Sequence, residues 1–314
     1  MKKELTDIWK YLIGLRDFDI ANGWQEKFVY PIDLEWYLNR SLTYYSPIDK
    51  DGIPMSNYKS VGLQYNPTRV SSYGLAHWNR YILNSDEKSL NLFFKIANWF
   101  IDIAKKRNDC IVWEYNFDWG DLKKPWISAM AQGEVISLLS RAYYKTKEQK
   151  YIDIVLKAIK VFTKDIDHGG VCSKINGNNL FFEEYPSQNP KHELNGFLYA
   201  VIGLTDLDKL CSSESILQNL IIECKKTLEE CCKLWDLGYW SAYDLSQING
   251  VRNSATTSYH LLHIAQITFL SDIFESEILS QQAKKWKLCF DKLTCRLHAA
   301  RDKIRYRILC PPQR

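Results

Sequence analysis

The sequence predicts a mainly helical protein, folded as an incomplete α/α toroid of about four helix pairs joined by short β-hairpin linkers. Three observations support this fold class. Helical spacing of apolar residues recurs in paired segments, and short aromatic stretches with strand-like alternation separate the pairs. The first helices of successive pairs begin about 60 residues apart, which is typical of repeated supersecondary units. We expect residues 66–314 to form the toroid and residues 1–65 to pack on it as an N-terminal extension.

The helical segments follow one another from about residue 71. The clearest is Ser89–Lys106, in which apolar residues recur at helical spacing: Leu92, Ile96, Phe100 and Ile103. The pattern returns in later stretches, which include SAMAQGEVISLLSRAYYKT, LNGFLYAVIGLTDLDKL and TSYHLLHIAQITFLSDIF. We predict that the first helices of the four pairs open at these residues: Gly74, Gly133, Gly196 and Tyr259.

The linkers carry acidic and aromatic residues in three equivalent places: Trp113-Glu114-Tyr115, Glu183-Glu184-Tyr185, and Tyr239-Trp240 with Tyr243-Asp244. Asn176-Gly177 is a hairpin turn signal within the second linker. Because the inner helices of a toroid point their N-termini at one end, we expect the linkers to gather around one cleft. Helix N-termini favour an anion. Together with tyrosines and carboxylates, they suit an acidic sugar.

Aromatic residues are the unusual part of the composition, with 11 Trp, 19 Tyr and 13 Phe. Such rings stack on the apolar faces of sugars, although a large core also uses them. The net charge of +4 comes from 41 basic and 37 acidic residues spread along the chain, which argues against a nucleic-acid partner. Nine cysteines without a CxxC pair favour thiols in a reducing compartment. The N-terminus has no apolar core for a signal peptide, so we expect a cytoplasmic protein.

The basic excess lies mostly at the end of the chain, in KKWKLCFDKLTCRLHAARDKIRYRILCPPQR. One interpretation is an amphipathic basic helix that associates peripherally with the inner membrane. The other is a solvated last helix whose Lys and Arg residues oppose its dipole. No stretch approaches the roughly 20 apolar residues of a membrane span.

Glu184 and Tyr185 stand next to a proline, directly ahead of a helical pattern. They either hold a turn, because Pro186 biases Tyr185 towards an extended conformation, or face a substrate. Arg69 is a candidate clamp for a substrate carboxylate, and an ordinary surface ion pair is its alternative.

Other candidates lie within the helical patterns. Tyr73 and His77 are four residues apart on one helix face. Gln132 lies among small residues that predict close helix packing, and its amide is a candidate contact for a sugar hydroxyl. His260 and His263 have the spacing of a metal pair, but no HExxH pattern accompanies them, so we favour packing and predict no metal.

Taken together, the motifs resemble the C-terminal catalytic region of the D-glucuronyl C5-epimerases, which convert glucuronate to iduronate in heparosan-type chains. The matching stretches cover roughly residues 65 to 290: SSYGLAHW, WISAMAQGEVISLLSRAY, EEYPSQ followed by LNGFLYAVIGLTDL, YDL at Tyr243–Leu245, and NSATTSYHLLHIAQI. The resemblance implies an α/α toroid and epimerisation without a cofactor. Neither a P-loop, a GxGxxG nor a GxSxG motif is present.

Carried over by motif, the resemblance implies catalytic roles for four residues: Glu184, Tyr185, Tyr243 and Tyr259. Residues expected around the substrate are Tyr73, His77, Arg69, Glu114, Asn195, His260 and Gln132. Arginines of the animal pattern are replaced by Ser246 and Thr256, which favours a less sulfated acidic polysaccharide. Animal members also carry a large N-terminal β-rich part that contributes to dimerisation. This sequence has only about 65 residues ahead of the toroid, so whether it forms a homodimer stays open.

Three other functions are compatible with these residues. A polysaccharide lyase removes the same C-5 proton and then expels the C-4 substituent. A glycoside hydrolase would need two carboxylates, for which Glu184 with Asp244 or Glu114 is the candidate pair. A non-catalytic glycan-binding module would use the aromatic residues alone.

Overall fold

The computed structural model describes residues 9–25 and 27–311, and these form the mainly helical toroid that the sequence predicts. Residues 9–13 are helical. The helices that follow are α1 (Glu35–Leu38), α2 (Ser41–Tyr44), α3 (Pro67–Asn84), α4 (Glu87–Ile103), α5 (Ala129–Thr146), α6 (Gln149–Ala158), α7 (Leu194–Asp208), α8 (Ser215–Cys231), α9 (Thr257–Ile273), α10 (Glu277–Asp291) and α11 (Leu293–Leu309). The strands are β1 (Ser56–Tyr58), β2 (Gly62–Gln64), β3 (Lys105–Arg107), β4 (Cys110–Val112), β5 (Cys172–Ile175), β6 (Asn179–Phe182), β7 (Ala242–Ile248) and β8 (Val251–Ser254). The predicted absence of a signal peptide rests partly on residues 1–8, which lie outside the described residues, as do residues 312–314 of the basic stretch.

Four helix pairs form the two layers of the toroid. The inner helices are α3, α5, α7 and α9, and their outer partners are α4, α6, α8 and α10. Helix α7 buries 14 of its 15 residues, whereas α8 buries six of 17 along one face. A helix that is apolar all round belongs in the interior, and a helix with one apolar stripe covers it.

Glycines let inner helices α5 and α7 pack closely. A Cβ atom on Gly133 would lie 2.4 Å from the Cα of Ala200, and one on Gly203 would lie 2.3 Å from the Gly133 carbonyl oxygen. Any side chain at either position would push the helices apart. The close packing expected from the small residues around Gly133 is therefore confirmed.

An antiparallel hairpin precedes each inner helix: β1–β2 before α3, β3–β4 before α5, β5–β6 before α7, and β7–β8 before α9. The hairpins lead towards the N-termini of the inner helices, so they lie at one end of the toroid. The β5–β6 turn contains Asn176 and Gly177 with φ of 52° and 77°, which confirms the predicted hairpin. Hairpin β1–β2 was not among the predicted linkers.

Helix α3 begins well ahead of Gly74, the predicted opening residue. Its first residue is Pro67, and the Asn66 side chain caps it by accepting a hydrogen bond from the Arg69 N–H. An Asn cap followed by Pro at the first helical position is a strong start signal. Tyr73 therefore lies in the second turn, roughly 9 Å along the axis from the helix start.

The N-terminal segment contacts the first and the last inner helix. The backbone of Tyr30 exchanges two hydrogen bonds with the Asn79 side chain of α3, at 2.7 and 2.9 Å. The Tyr11 hydroxyl donates to the carbonyl of Ala255, just ahead of α9, at 3.2 Å. The segment thus bridges the two ends of the helical array, and its boundary at residue 65 stays a prediction.

Helix α11 packs on the β7–β8 hairpin. The Ser254 hydroxyl donates to the carbonyl of Ala299 at 3.1 Å, and the hydroxyls of Ser246 and Tyr306 share a hydrogen bond of 2.7 Å. In the part of the chain that the structure describes, no helix combines the length and apolarity needed to cross a membrane. Peripheral membrane association, cytoplasmic location and a homodimer stay predictions.

Candidate active site

Glu184 lies just after strand β6, at the mouth of the toroid. Its side chain is only 7% exposed, and Asn195 in the first turn of α7 donates a hydrogen bond to Glu184 Oε2 at 3.0 Å. Gly196 makes this position possible, because a Cβ there would lie 2.5 Å from the Glu184 Cβ. The glycine at the start of α7 therefore leaves room for the carboxyl group.

Burial raises the pKa of Glu184 to about 7. The Asn195 hydrogen bond and the neighbouring Tyr185 hydroxyl oppose this shift, while the nearby charges of Asp244 and Glu183 add to it. A carboxyl group with this pKa is ionised in about half of the molecules at neutral pH, which suits proton transfer.

Tyr185 is half-buried and lies next to Glu184, close enough for the two groups to shift each other's pKa. Burial and the negative charge of Glu184 raise the pKa of Tyr185 well above the ordinary value of 10.0. Its ring also lies 6.0 Å from the ring of Trp126, at the edge of a small apolar cluster. The hydroxyl therefore rests as a neutral donor to a carboxyl group that can accept its proton.

Tyr243 and Tyr259 complete the cluster from the next hairpin and the next inner helix. Their ring centroids are 4.8 Å apart in an edge-to-face arrangement. Burial raises the pKa of Tyr243 well above 10.0, and the charges of Glu184, Tyr259 and Tyr185 add to the effect. Tyr259 is 36% exposed, so it connects the cluster with solvent.

Glu183, the neighbour of Glu184, has a structural role. Its carbonyl accepts the N–H of Ala129 at the start of α5, at 3.0 Å. Its carboxylate lies 2.6 Å from Nδ1 of His192 and also accepts a hydrogen bond from the Ser173 hydroxyl. One glutamate of the pair therefore holds the linker, and the other faces the tyrosines.

Comparison of the sequence with models of protein families identifies the family that has these residues. The sequence model described as D-glucuronyl C5-epimerase C-terminus matches residues 107–288, more than half of the chain, including Glu184 and the three tyrosines. The protein belongs to this family.

Individual relatives agree with this membership. The D-glucuronyl C5-epimerase of Caenorhabditis elegans is 31% identical over an alignment of 219 residues. The alignment covers 64% of this chain and 35% of that protein. An uncharacterized protein of Methanocaldococcus jannaschii is 27% identical over 270 residues, or 80% of this chain and 83% of that protein. The chain thus spans about a third of the length of the nematode enzyme and most of the archaeal protein.

Two solved structures share the fold. Cellobiose 2-epimerase from Spirochaeta thermophila matches with a TM-score of 0.55 at 11% identity, covering 96% of this chain and 86% of its own. A family 105 glycoside hydrolase from C. acetobutylicum matches with a TM-score of 0.55 at 12% identity, covering 91% of this chain and 76% of its own. At these identities they show the α/α toroid and leave the chemistry open.

Among the residues assigned through the resemblance to the C5-epimerase family, five meet in one cluster: Glu184, Tyr185, Tyr243, Tyr259 and Asn195. Glu114 and Gln132 lie outside it. The Glu114 carboxylate pairs with Nε of Arg107 at 2.6 Å. The Gln132 amide makes two hydrogen bonds to the backbone of Trp113, at 2.8 and 3.1 Å, so it fastens the linker to α5.

Tyr73 and His77 are buried in the second and third turns of α3 rather than at its N-terminal end. Nδ1 of His77 and the Ser89 hydroxyl of outer helix α4 share a hydrogen bond of 2.9 Å. Burial lowers the pKa of His77 to about 4. His77 therefore joins an inner helix to its outer partner, and its placement in the cleft was wrong because α3 starts at Pro67.

His260 also packs in the core instead of contacting the cleft. Its Nδ1 shares a hydrogen bond of 2.7 Å with the Ser241 hydroxyl, and its ring stacks on Trp240 at 3.6 Å. Nδ1 of His263 shares a bond of 2.9 Å with the same hydroxyl. Both histidines thus converge on Ser241, and their i, i+3 spacing reflects this shared partner.

Arg69 lies in the first turn of α3, near the mouth of the toroid. Its guanidinium donates to the carbonyl of Tyr44 and lies 4.9 Å from the centre of the Tyr44 ring. This contact orders a tyrosine of the N-terminal segment. A clamp on the substrate would require Arg69 to exchange this partner for the substrate carboxylate.

Two buried glutamates were not predicted as site residues. Glu134 in α5 accepts a hydrogen bond from the Ser71 hydroxyl of α3 at 3.1 Å, and burial raises its pKa well above 4.5. Glu193, directly ahead of α7, is 4% exposed. Their burial depends on the tertiary fold. The sequence around each of them looks like that of an ordinary glutamate in or near a helix, so it gave no signal.

Proposed function

We propose that this protein is a D-glucuronyl C5-epimerase that works without a cofactor and converts D-glucuronate to L-iduronate within an acidic polysaccharide. The observation that carries the proposal is the Glu184–Tyr185 pair, in which a buried carboxyl group of pKa about 7 lies next to a tyrosine hydroxyl. Tyr243 adds a second neutral hydroxyl from a different linker. Inversion at one carbon needs acid/base groups on both faces of the ring.

In the first step, Tyr185 removes the C-5 proton while its own hydroxyl proton passes to the Glu184 carboxylate. The electron pair of the broken C–H bond moves into the substrate carboxylate, which becomes an enolate dianion. The tyrosine never has to exist as a free phenolate. This matters because burial disfavours its ionisation.

In the second step, Tyr243 donates its hydroxyl proton to C-5 from the opposite face, and the enolate electron pair forms the new C–H bond. As Tyr243 gives up its proton, its neighbour Tyr259 passes it another, and Tyr259 regains a proton from solvent, so that no buried phenolate is left. Glu184 releases its proton to solvent. Substrate protons are thereby exchanged with water at C-5.

Features of the cleft favour a polymer with few sulfate groups. Ser246 donates a hydrogen bond to the Asp244 carboxylate, and Thr256 caps α9 through the N–H of Tyr259. Both side chains therefore have structural partners and no charge to offer a sulfate group. Half-buried rings of Tyr58 and Trp119, 5.4 Å apart, supply stacking surfaces for sugar rings beside the cluster.

A glycoside hydrolase receives less support from these positions. Glu114 is paired with Arg107, and the Asp244 carboxylate accepts hydrogen bonds from Asn253 and Ser246. Neither is a second carboxylate in a position comparable to that of Glu184.

The test is proton NMR of heparosan, an unsulfated glucuronate polymer, incubated with the protein in D₂O. Loss of the C-5 proton signal with new iduronate resonances supports the proposal. A 4,5-unsaturated uronate would instead make the protein a lyase. Binding of the polymer without either change would leave a glycan-binding module.

A further inference from the structure

Glu193 is an unusual residue at the start of an inner helix. It is the N-cap residue of α7, yet its side chain makes no capping hydrogen bond. It is only 4% exposed, and among the described residues its Oε2 atom has no hydrogen-bond partner. Buried polar atoms nearly always have a partner, so a buried carboxyl oxygen without one indicates a missing ligand.

The surroundings of Glu193 are acidic and face the proposed reaction centre. Burial raises its pKa well above 4.5, and the charges of Glu184, Glu183 and Asp244 add to this. Tyr185 and Tyr243 lie close enough for the charge of Glu193 to raise their own pKa values. The carboxyl group therefore lies near the two tyrosines that would flank a substrate ring, in surroundings that disfavour its ionisation.

Basic side chains on the neighbouring elements have other partners. His192 pairs with Glu183 at 2.6 Å, and Lys303 of α11 donates to Asn253 at 2.7 Å. Arg252 of β8 donates to the carbonyl of Leu234 at 2.7 Å. Burial and like charges therefore both favour the neutral form of Glu193.

The proposed reaction leaves one requirement unmet. The intermediate carries a second negative charge on the substrate carboxylate, which must be stabilised by a donor. Ser246 and Thr256 carry no charge, and both have structural partners. A neutral carboxylic acid is a suitable substitute, because its O–H forms a strong hydrogen bond to a carboxylate.

We propose that Glu193, as a neutral carboxylic acid, binds the uronate carboxylate of the substrate by donating its O–H. This inference rests on the proposed function and names the group that recognises the acidic sugar. The proton stays on Glu193 throughout. The hydrogen bond strengthens as negative charge builds up on the substrate carboxylate, so Glu193 contributes to both binding and turnover.

Asn195, in the first turn of the same helix, also has a buried side-chain oxygen without a hydrogen-bond partner among the described residues. Its Nδ2 donates to Glu184, whereas its Oδ1 has no partner in the described part of the chain. An acceptor here suits a sugar hydroxyl. The start of α7 thus presents a donor for the carboxylate and an acceptor for a hydroxyl, a few residues apart.

The test compares binding of a glucuronate oligosaccharide with that of its carboxyl-reduced counterpart by titration calorimetry. Glu193→Leu removes the donor, and we expect uronate affinity to fall at least about tenfold with little change for the reduced sugar. Glu193→Gln keeps a neutral donor that does not titrate. We expect its uronate affinity near pH 6 to stay within about threefold of the wild type.

The pH dependence gives the second readout. Wild-type uronate affinity should fall as rising pH ionises Glu193, because a carboxylate would repel the substrate. The Gln variant retains the titrations of Glu184, Glu183, Asp244 and the tyrosines, so the difference between the two curves isolates Glu193. Parallel curves, or unchanged uronate affinity in a folded Leu variant, would overturn the proposal. If the Leu variant does not fold, the wild-type and Gln curves decide alone.

Failure of this inference can be told apart from failure of the proposed function. Uronate binding that depends on Glu193, without hydrogen exchange at C-5, would remove the epimerase and keep the recognition site. Exchange at C-5 with a wild-type KM in the Leu variant would keep the epimerase and remove this role of Glu193.

Discussion

Two linkers of this protein look alike in sequence and differ in what the fold makes of them. Trp113-Glu114-Tyr115 follows hairpin β3–β4, and Glu183-Glu184-Tyr185 follows hairpin β5–β6. In the first, Arg107 binds Glu114, and the Tyr115 ring stacks on Trp126 at 4.0 Å while its hydroxyl bonds to Thr68. In the second, Glu184 is buried next to Tyr185 and accepts a hydrogen bond from Asn195.

The difference shows that a carboxylate–tyrosine pair becomes reactive through its neighbours. In the first linker, the guanidinium of Arg107 neutralises the charge of the Glu114 carboxylate. The second has acidic neighbours and little water, so its pKa rises to about 7. Four substitutions and two control variants test whether this contrast governs activity.

The largest effect is expected from Tyr185→Phe compared with Tyr115→Phe. Removing the Tyr185 hydroxyl takes away the group that accepts the C-5 proton in the proposed reaction, so exchange in D₂O should fall by about 10³-fold. Tyr115→Phe loses a structural hydrogen bond worth about 1 kcal/mol and should keep its exchange rate per folded molecule. Equal losses of exchange in the two variants would show that the linkers are not specialised.

The second effect is expected from Glu184→Gln and appears as a pH dependence. In the wild type, kcat/KM should rise as Glu184 ionises through a pKa of about 7, whereas Glu184→Gln should lose about 10²-fold or more and show no such limb. If kcat/KM of this variant still rises with pH around 7, a group other than Glu184 is responsible for the pH dependence.

The same substitution should separate stability from activity. Because the pKa of Glu184 is raised from 4.5 to about 7 on folding, its contribution to stability is present at low pH and lost as pH rises across this window. Relative to Glu184→Gln, the wild type should therefore lose about 3 kcal/mol of unfolding free energy between pH 4 and pH 8 in denaturant titrations.

A smaller effect is expected from Gly196→Ala. Its methyl group would lie 2.5 Å from the Glu184 Cβ, so the carboxyl group must shift, and kcat should fall by about tenfold to a hundredfold. Gly203→Ala in the same helix is the matched control, because it disturbs the contact with Gly133 and leaves Glu184 in place. Its thermal stability should fall, while kcat per folded molecule stays near that of the wild type.

The smallest effect is expected from Glu114→Gln. Breaking a partly exposed ion pair with Arg107 should cost about 1 kcal/mol in denaturant titrations. C-5 exchange should remain within about twofold of the wild type, since no proton transfer passes through this linker. A loss as large as that of Glu184→Gln would return Glu114 to the substrate cleft.

Much of the fold was predictable because its signals are local. Apolar spacing identified the helix pairs, and Asn176-Gly177 identified a hairpin whose turn requires positive φ. The start of α3 was missed although Asn66-Pro67 announces it, and this error carried His77 into the predicted cleft. The local signals were sufficient to predict the helices and hairpins, provided that capping residues were considered as well as apolar spacing.

The site was predictable only in part, for a different reason. The EEYP and YDL motifs named Glu184, Tyr185 and Tyr243 through the resemblance, but could not tell Glu184 from Glu114 by their chemistry. Arg107 lies across a hairpin from Glu114, and Asn195 reaches Glu184 from a separate helix. Gln132 and His260 were assigned to the cleft because their backbone and core partners lie far away in sequence.

The sequence by itself determined the helical repeat, the hairpin linkers and the family, since periodicity, turn residues and motifs are properties of the chain. The tertiary structure alone decided which carboxyl groups lose their water and which have a cation beside them. Burial and charge act through space and depend on residues brought together from different elements. For that reason the buried carboxyl group of Glu193, with an oxygen that lacks a partner among the described residues, became visible only once α7 and its neighbouring linkers were in place.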